Sequence, residues 1–350
     1  MGSTKYVKPV SLSGARSRCV REIVARWRLL GRDAVGGDPA RVGLTVVACS
    51  GGADSSALAL ALRTATDRLL IAHVLHSMRP LHEEEADRDA ARVLAERLGV
   101  GFAEIRVASR GGENVEASLR RARYGALRRI AQEASGALVV TGHHADDQFE
   151  SMVLALVRGA GVRGMAGAAS KRRLAPGVWL LRPMLGVTRD EARALCESEG
   201  VSWREDATNL DTSRARARLR HGVLAELEAL RPGAAKRAAR SAAMLRDAAG
   251  LVEDRARAVF GESSDWAREA LRAERAIVVG AGLRRTALRL TRGVGADRLS
   301  ERVVGPVVRA ARDDRHDPRR FVWPIGVEVR VLSKRVEMSR ASAQPLSAAE

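Results

Sequence analysis

A glycine-rich turn flanked by hydroxyl side chains is the first segment of the sequence that could do chemistry. It follows the apolar, β-branched run 44–49 and reads Ser50-Gly51-Gly52-Ala53-Asp54-Ser55. Glycine lets the backbone bend and approach an anion closely, because it carries no Cβ. The N–H groups of such a turn form a concave nest, and a following helix adds its positive end. The turn therefore predicts a phosphate site, to which Ser50 and Ser55 can donate hydrogen bonds.

Asp54 is the unexpected member of this turn, because a carboxylate repels a polyphosphate unless a cation lies between them. Asp54 is therefore a candidate ligand of Mg²⁺ held by phosphates, since Mg²⁺ prefers oxygen ligands. The turn is not a Walker A loop, because the lysine of that pattern is missing. The alternative is a structural glycine turn in which Asp54 only stabilises the positive end of a helix.

A second group of polar residues follows another apolar run, 137–141. Its members are Gly142, His143, His144, Asp146, Asp147 and Glu150. Helical spacing puts Glu150 one turn from both aspartates, so three carboxylates need a cation among them, either Mg²⁺ or a substrate ammonium. The alternative is that these acids only favour a helix start. No further histidine or cysteine lies at metal spacing, which favours structural or substrate-orienting roles for the histidines.

The two polar groups meet only if their strands are parallel, and the pattern predicts that arrangement. Strands are expected at 44–49, 69–75, 102–107 and 137–141, and helices at 55–64, 83–98, 115–134 and 145–157. This alternation is typical of an α/β fold with a doubly wound parallel sheet, in which ligands bind outside the carboxyl ends of the strands. On the last helix we expect a core-facing stripe of Phe149, Met152, Val153 and Leu156.

The alternation fades after residue 185. Helices are expected at 189–199, 215–230 and 234–260, residues 265–313 look mainly helical, and 321–339 look like a β-hairpin or meander. We therefore predict a basic N-terminal extension (1–40) that includes a helix around 18–30, an α/β domain (41–228), and a C-terminal part (229–350). This last part combines a helical region with a small α+β domain.

Net charge and composition indicate which classes of partner and site the protein can have. The formal net charge is +18, which favours a polyanion such as RNA, although only five of the 60 basic residues are Lys and coding bias contributes. The three cysteines are far apart, which excludes a CxxC metal or redox pair. The sequence contains no long apolar run and no signal-peptide pattern, so we expect a cytoplasmic protein that does not bind membranes.

Seen as a whole, the motifs resemble a known family. The turn at 50–55 resembles the pyrophosphatase loop of the N-type ATP pyrophosphatases, a Rossmann-like superfamily. Within it, six stretches in collinear order over 43–225 resemble the lysidine synthetases. These stretches are His73-Val74-Leu75-His76-Ser77-Met78-Arg79; Asn114, Glu116, Arg120, Arg123 and Tyr124; Thr141 to Glu150; Arg158, Gly159, Gly161 and Gly164; Arg182-Pro183-Met184-Leu185; and Asp206, Thr208, Asn209, Asp211, Arg216 and Arg220.

The resemblance implies a ligase that forms a carbon–nitrogen bond. ATP is split into AMP and pyrophosphate while the wobble cytidine (position 34) of tRNA(Ile) with a CAU anticodon is adenylated, and free L-lysine then attacks C2 to give lysidine. ATP is expected against residues 50–55, with Mg²⁺ between Asp54 and Asp147. Further nucleotide contacts are expected from His76, Arg120, Gly142 and His143. The residues expected to be catalytic are Asp54, Asp146, Asp147 and Glu150.

Two other functions stay open on the sequence. A tRNA thiolase of the same superfamily would deliver sulfur instead of lysine, although such enzymes usually need the cysteine pairs or cluster missing here. A non-catalytic RNA-binding protein on the same scaffold would not need the intact turn or the three carboxylates. The sequence also departs from the family pattern at Leu75, where Asp or Asn is usual, and at Ala217, which replaces Asn.

Overall fold

The computed structural model describes residues 17–76, 80–107, 115–205 and 215–341. These residues form two compact units. The first contains the described residues up to Leu154 together with Gly167–Ala242. The second contains Ala155–Ala166 and the described residues from Ala243 onward. The boundaries that we place after residues 40 and 228 remain predictions.

A six-stranded sheet forms the centre of the first unit. Its strands are β1 (Leu44–Ala48), β2 (Leu69–Leu75), β3 (Gly101–Arg106), β4 (Gly136–Thr141), β5 (Lys171–Ala175) and β6 (Val178–Leu181). The order across the sheet is β3-β2-β1-β4-β6-β5. Strand β1 pairs in parallel with both β2 and β4, which confirms the predicted parallel core. The turn after β1 and the polar group after β4 therefore leave the same edge of the sheet.

The last two strands were not predicted, and they make the sheet mixed. Strand β6 continues the parallel order beside β4, but β5 pairs antiparallel with β6. Lys171, Arg172 and Arg173 give β5 no apolar alternation, because an edge strand with exposed side chains needs none. A hairpin through Gly177, which has a φ of 75°, joins the two strands.

Helices cover both faces of this sheet. Helices α1 (Arg18–Val35), α2 (Ala53–Arg63), α3 (Leu81–Leu98) and α7 (Arg189–Ser198) contribute to one core with β1, β2 and β4. Helix α4 (Val115–Glu133) covers the opposite face, where Tyr124, Leu127 and Ile130 are buried against the same strands. Helix α5 (Ala145–Val157) follows β4 at the carboxyl edge of the sheet.

The helix expected at 215–230 contains a local irregularity. It consists of α8 (Ala215–Arg218), a π-helical segment (Leu219–Val223) and α9 (Leu224–Leu230). A π-helical turn widens the helix by one residue and is frequent at functional sites. The segment includes Arg220, and α10 (Ala234–Phe260) follows as expected.

The second unit has an antiparallel sheet of its own. Its strands are β7 (Asp265–Ala267), β8 (Arg319–Trp323), β9 (Val327–Val331) and β10 (Arg335–Arg340), in the order β7-β10-β9-β8. The helices are α6 (Val162–Met165), α11 (Arg268–Ala273), α12 (Ala276–Leu290) and α13 (Glu301–Arg312). Val327, Val329 and Val331 are buried, which confirms the predicted alternation in β9.

The Arg268 side chain forms hydrogen bonds with the end of α13 in this unit. Its guanidinium is 2% exposed and donates hydrogen bonds to the carbonyls of Ala310 and Ala311 and to the carboxylate of Asp313. These bonds satisfy carbonyl groups that a helix end would otherwise leave without a partner.

None of the described helices combines the length and the apolar composition that a membrane crossing requires.

Candidate functional site

The turn after β1 is a tight glycine loop pressed against α3. Gly51 has a φ of 83°, in the left-handed region, and a Cβ at this position would lie 2.7 Å from the carbonyl oxygen of Asp87. Gly52 is the N-cap of α2 and has no side-chain cap. The positive end of α2 therefore opens toward the loop, as the sequence predicts for an anion site.

The hydroxyl groups of the loop divide into an internal one and an outer one. Ser55 is buried; its Oγ donates to the carbonyl of Gly52 at 3.0 Å and accepts the Ser50 N–H at 3.2 Å. The Ser50 side chain is exposed, and its Oγ lies 3.3 Å from that of Ser55. Ser55 thus holds the loop in shape, whereas Ser50 is placed to meet a ligand.

The loop and the second polar group converge at the edge of the sheet. A Cβ on Gly142 would lie 2.9 Å from the backbone carbonyl of Asp54, so only glycine lets β4 end this close to α2. One carboxylate oxygen of Asp54, Oδ1, is buried and has no hydrogen-bond partner among the described residues. The structure therefore brings Asp54 and Gly142 together, as the parallel order of β1 and β4 predicts.

His144 lies between three carboxylates at this point. Its Nε2 is 3.4 Å from Oδ2 of Asp54 and 3.7 Å from Oδ2 of Asp147, and its Nδ1 is 3.3 Å from Oδ2 of Asp146. Its side chain is 2% exposed. Asp54 and Asp147 thus share one side of the imidazole, while Asp146 lies on the other.

The protonation state of His144 follows from these neighbours. Burial alone would lower its pKa, but the carboxylates of Asp147, Asp146 and Asp54 raise the pKa to about 10. His144 is therefore a cation at neutral pH. The imidazolium therefore places one positive charge of the protein itself among the three carboxylates.

The three acidic side chains of α5 have different surroundings. Asp146 accepts the backbone N–H of Arg189 at 2.9 Å; burial raises its pKa, but hydrogen bonding to His144 and Arg189 more than offsets this and lowers it. Asp147 accepts the backbone N–H of His144 at 3.1 Å, an ordinary contact at a helix start. Asp146 is thus held in place, and Asp147 is the one that lies beside Asp54.

Glu150 has a basic partner from a distant part of the chain. Its side chain is 8% exposed, and Oε2 accepts a hydrogen bond from the Arg220 guanidinium at 2.9 Å. Arg220 belongs to the π-helical segment, whose widened turn positions it. The predicted face of three clustered carboxylates is therefore compensated twice, by His144 and by Arg220.

The remaining face of α5 differs from the prediction. Phe149, Met152 and Val153 are only half-buried and Leu156 is 63% exposed, so the predicted core-facing stripe is wrong. Gln148 is buried instead, and its side-chain amide donates to the carbonyl of Ala168 and accepts the N–H of the same residue. A polar side chain takes the inner position, where its two hydrogen bonds hold the segment that precedes β5.

His143 and His76 also lie at the carboxyl edge. His143 contacts Thr141 Oγ1 through Nδ1 at 2.9 Å; burial, with the positive charges of Arg182, Arg123 and Arg120, lowers its pKa to about 2. His143 is therefore a neutral hydrogen-bonding group. His76 directly follows β2 and is half-buried.

Comparison with known proteins assigns the family. Residues 38–227 match a family model described as a PP-loop domain. The tRNA(Ile)-lysidine synthase of Salinispora tropica is 40% identical over 226 residues, which cover 63% of this chain and 67% of that protein. This chain belongs to the tRNA(Ile)-lysidine synthase family.

Other members of the lysidine synthase family are longer. The synthase of Chromobacterium violaceum is 38% identical over 216 residues, which cover 60% of this chain and 49% of that protein. The Thermus thermophilus protein is 37% identical over 249 residues, with 70% of this chain and 47% of that protein covered. The chain thus spans about half the length of these two relatives.

A solved structure supports the fold alone. The U34-tRNA thiolase NcsA from Methanococcus maripaludis, solved with its iron–sulfur cluster, aligns with a TM-score of 0.50 and 16% identity. The alignment covers 65% of this chain and 80% of that one. The PP-loop family match and this likeness confirm the predicted Rossmann-like α/β class.

The family motifs extend beyond the described residues. Ser77, Met78, Arg79 and Asn114 lie outside them, as do Asp206, Thr208, Asn209 and Asp211, and the side chains of Glu116 and Arg216 are not described. Arg120 lies on α4 over the ring of Tyr124. Sequence reasoning missed the compensating role of His144, although its position beside Asp146 and Asp147 was a signal for it.

Substituting Gly51 tests the packing of the loop. We expect Gly51→Ala to destabilise the lysidine synthase fold by about 2–4 kcal/mol, because a left-handed φ costs about 1–2 kcal/mol and the new Cβ also clashes with the Asp87 carbonyl. Gly43→Ala is the matched control, since Gly43 has the same φ of 83° but open space around it. Urea unfolding followed by circular dichroism measures both. Equal destabilisation of the two variants would contradict the close approach of α3.

Proposed function

We propose that the protein is an ATP-dependent, AMP-forming ligase that attaches lysine to C2 of cytidine 34 in tRNA(Ile) with a CAU anticodon. The observation that carries the proposal is the convergence of Asp54, from the glycine loop, with Asp147, from α5, on one side of His144. A phosphate nest and an acidic pocket then adjoin, which is what activation by ATP followed by capture of an amine requires. The names of the relatives supply the identities of the RNA and the amine.

Adenylation would take place over the glycine loop. Ser50, the loop N–H groups and the start of α2 would hold the phosphates of ATP. His76, Gly142, His143 and Arg120 would border the nucleotide. The C2 oxygen of cytidine would attack the α-phosphate, pyrophosphate would leave, and the positive groups around the loop would stabilise the charge that develops on the phosphate oxygens.

Asp54 and Asp147 are the residues that would hold Mg²⁺. Asp54 fits this role because its Oδ1 is buried without a hydrogen-bond partner among the described residues. In the part of the chain that the structure describes, no group of three or more His, Cys, Asp or Glu side chains could hold a metal ion. The other ligands would therefore be phosphate oxygens and water, as is usual for Mg²⁺ in nucleotide sites. When bound, the ion would neutralise charge on the triphosphate.

Attack by lysine would use the acidic residues of α5. The ε-amine must lose a proton before it can attack C2 and expel AMP. Glu150, with Asp146 and Asp147 nearby on the helix, would position the ammonium group and accept that proton. The Arg220 guanidinium donates a hydrogen bond to Glu150 and would offset the charge of this buried carboxylate before the ammonium arrives.

A transfer assay tests the proposed function directly. The protein is incubated with ATP, Mg²⁺, labelled lysine and unmodified tRNA(Ile) bearing a CAU anticodon, and we expect the label on that tRNA with AMP and pyrophosphate released. The matched control is the same tRNA with uridine at position 34, which should remain unlabelled. Formation of AMP without attachment of lysine would contradict the proposal and favour another acceptor chemistry.

Asp54→Asn tests the nucleotide step. We expect pyrophosphate release to fall by about 10²-fold or more, because a neutral amide cannot hold a cation beside the triphosphate. The thermal midpoint should fall only modestly, because Asp146 and Asp147 still face the His144 imidazolium when Asp54 loses its charge. Asp89→Asn, which changes a surface carboxylate paired with Arg88, is the control. Wild-type release of pyrophosphate in Asp54→Asn would remove Asp54 from the mechanism.

Glu150→Gln separates the two chemical steps. Lysine transfer should fall by about 10²-fold, as expected for loss of a general base, while formation of the adenylate falls much less. Single-turnover measurement of pyrophosphate release beside label transfer distinguishes the steps. Glu133→Gln, at an exposed position near the end of α4, is the control. If both steps slow equally, Glu150 does not act in lysine transfer.

A further inference from the structure

A cavity lined by arginines lies between α4 and the β5–β6 hairpin. Its volume is about 670 Å³, which is large enough for a nucleotide-sized ligand. Its lining residues are Arg120, Arg121, Tyr124, Gly125, Arg128, Ala168, Ala169, Arg172, Leu174 and Arg182. Five of these are arginines and none is acidic, so the cavity is built for an anion.

Helical spacing produces one wall of this cavity. Arg121, Gly125 and Arg128 recur at intervals of three and four residues and so lie on one face of α4. Arg129, the next residue along, is exposed and does not line the cavity. The same contrast holds on β5, where Arg172 lines the cavity and Arg173 instead lies over Trp179.

The arginines of the cavity differ from other arginines of the chain in having no carboxylate partner among the described residues. Elsewhere, arginines pair with carboxylates, as Arg92 does with Glu104 and Arg220 with Glu150. Within the described part of the chain, none of the five cavity arginines forms an ion pair with a carboxylate. Among the described residues no carboxylate offsets their mutual repulsion, and a polyanionic ligand would relieve it.

Tyr124 and Arg182 form the buried base of the cavity. Arg182 is 3% exposed, and its guanidinium donates to the hydroxyl of Tyr124 at 3.1 Å and to the carbonyl of Ala169 at 2.6 Å. Its Nε is buried without a hydrogen-bond partner among the described residues. Arg120 and Arg172 lie over the Tyr124 ring, 5.3 and 4.7 Å from its centroid. The exposed cations are thus held in position before any ligand binds.

The cavity adjoins the catalytic edge, since Arg120, which lines it, is also expected to border the nucleotide, but the rest of the cavity lies apart from the glycine loop. Gln148 of α5 forms two hydrogen bonds with Ala168, which lines the cavity. The positive charges of Arg120 and Arg182 help to lower the pKa of His143 at the catalytic edge. Helix α4 covers the face of the sheet opposite to α2, whose start holds the glycine loop.

We infer that this cavity binds the sugar–phosphate backbone of the RNA substrate next to the base that reacts. The inference rests on the proposed function, because it takes RNA as the substrate. Arginine suits this role, since its planar guanidinium makes paired hydrogen bonds to phosphate oxygens. A cavity beside the catalytic edge can hold the RNA backbone without competing with ATP, whose phosphates are expected at the glycine loop. Free ATP is the other source of phosphate, and the experiment separates the two.

Two double variants with equal charge change test the inference. Arg128→Gln with Arg172→Gln removes two cavity arginines, and Arg129→Gln with Arg173→Gln removes their exposed neighbours. The probe is a synthetic anticodon stem–loop with a CAU anticodon, and its Kd is measured by fluorescence anisotropy over a range of KCl concentrations. Affinity for ATP with Mg²⁺ is measured in parallel, and thermal midpoints check that each variant is folded.

We expect the cavity variant to bind the stem–loop at least about fivefold more weakly. The slope of the logarithm of the association constant against the logarithm of KCl concentration should become shallower by about 0.7–0.9 for each phosphate that is no longer neutralised. The neighbour variant should bind RNA within about twofold of wild type, because diffuse charge contributes only weakly at moderate salt. Affinity for ATP should be unchanged in both. Arg128→Lys with Arg172→Lys, which keeps the charges, should recover most of the RNA affinity.

Three results would overturn the inference. Equal weakening by the cavity and neighbour variants would mean that only net charge matters. Unchanged RNA affinity in the cavity variant would exclude binding of the backbone there. Loss of ATP affinity with RNA affinity retained would assign the cavity to the nucleotide. None of these measurements needs lysine, so the two proposals can fail independently. Absence of lysine transfer together with specific RNA binding in the cavity would contradict the proposed reaction but not the RNA site.

Discussion

The imidazolium of His144 lies among the carboxylates of Asp54, Asp146 and Asp147, and the arrangement of the site depends on this contact. Three carboxylates within a few ångströms of one another would repel, and a buried histidine would ordinarily be neutral. The carboxylates raise the pKa of His144, and the imidazolium in turn helps to lower the pKa of Asp146. The contact joins the glycine loop, which supplies Asp54, to α5, which supplies both other acids.

The same form of compensation recurs one turn further along α5. Glu150 is buried against Arg220, which comes from a π-helical segment far away in the sequence. Each acidic residue of the site thus faces a basic side chain, His144 or Arg220, whose position a charged ligand could share. The loop and the helix are held at a fixed separation, and the site needs little rearrangement to receive charged substrates.

The sequence allowed the parallel core and its loop to be predicted because their signals are local. The run 44–49, the two glycines and the helix after them specify β1, the turn and α2 without help from elsewhere. Strand β5 was missed because an edge strand that carries Lys171 and Arg172 shows no apolar period. Strand β6 was missed because its apolar run is only four residues long, which is too short for periodicity to assign. The partners of the acidic residues were missed for another reason. Periodicity predicts which residues share a helix face but not which side chain faces them from another element, so neither His144 nor Arg220 could be assigned.

Strand β5 is one of the two edge strands of its sheet, and among the described residues no strand pairs with its outer row of backbone N–H and carbonyl groups. Such an edge can recruit a strand from a second molecule and start aggregation. Lys171, Arg172 and Arg173 place positive charges along it, so two copies meeting edge to edge would repel. Arg172 also lines the arginine cavity, so replacing it with an apolar residue to probe that cavity would also favour self-association. A polar replacement keeps these effects apart.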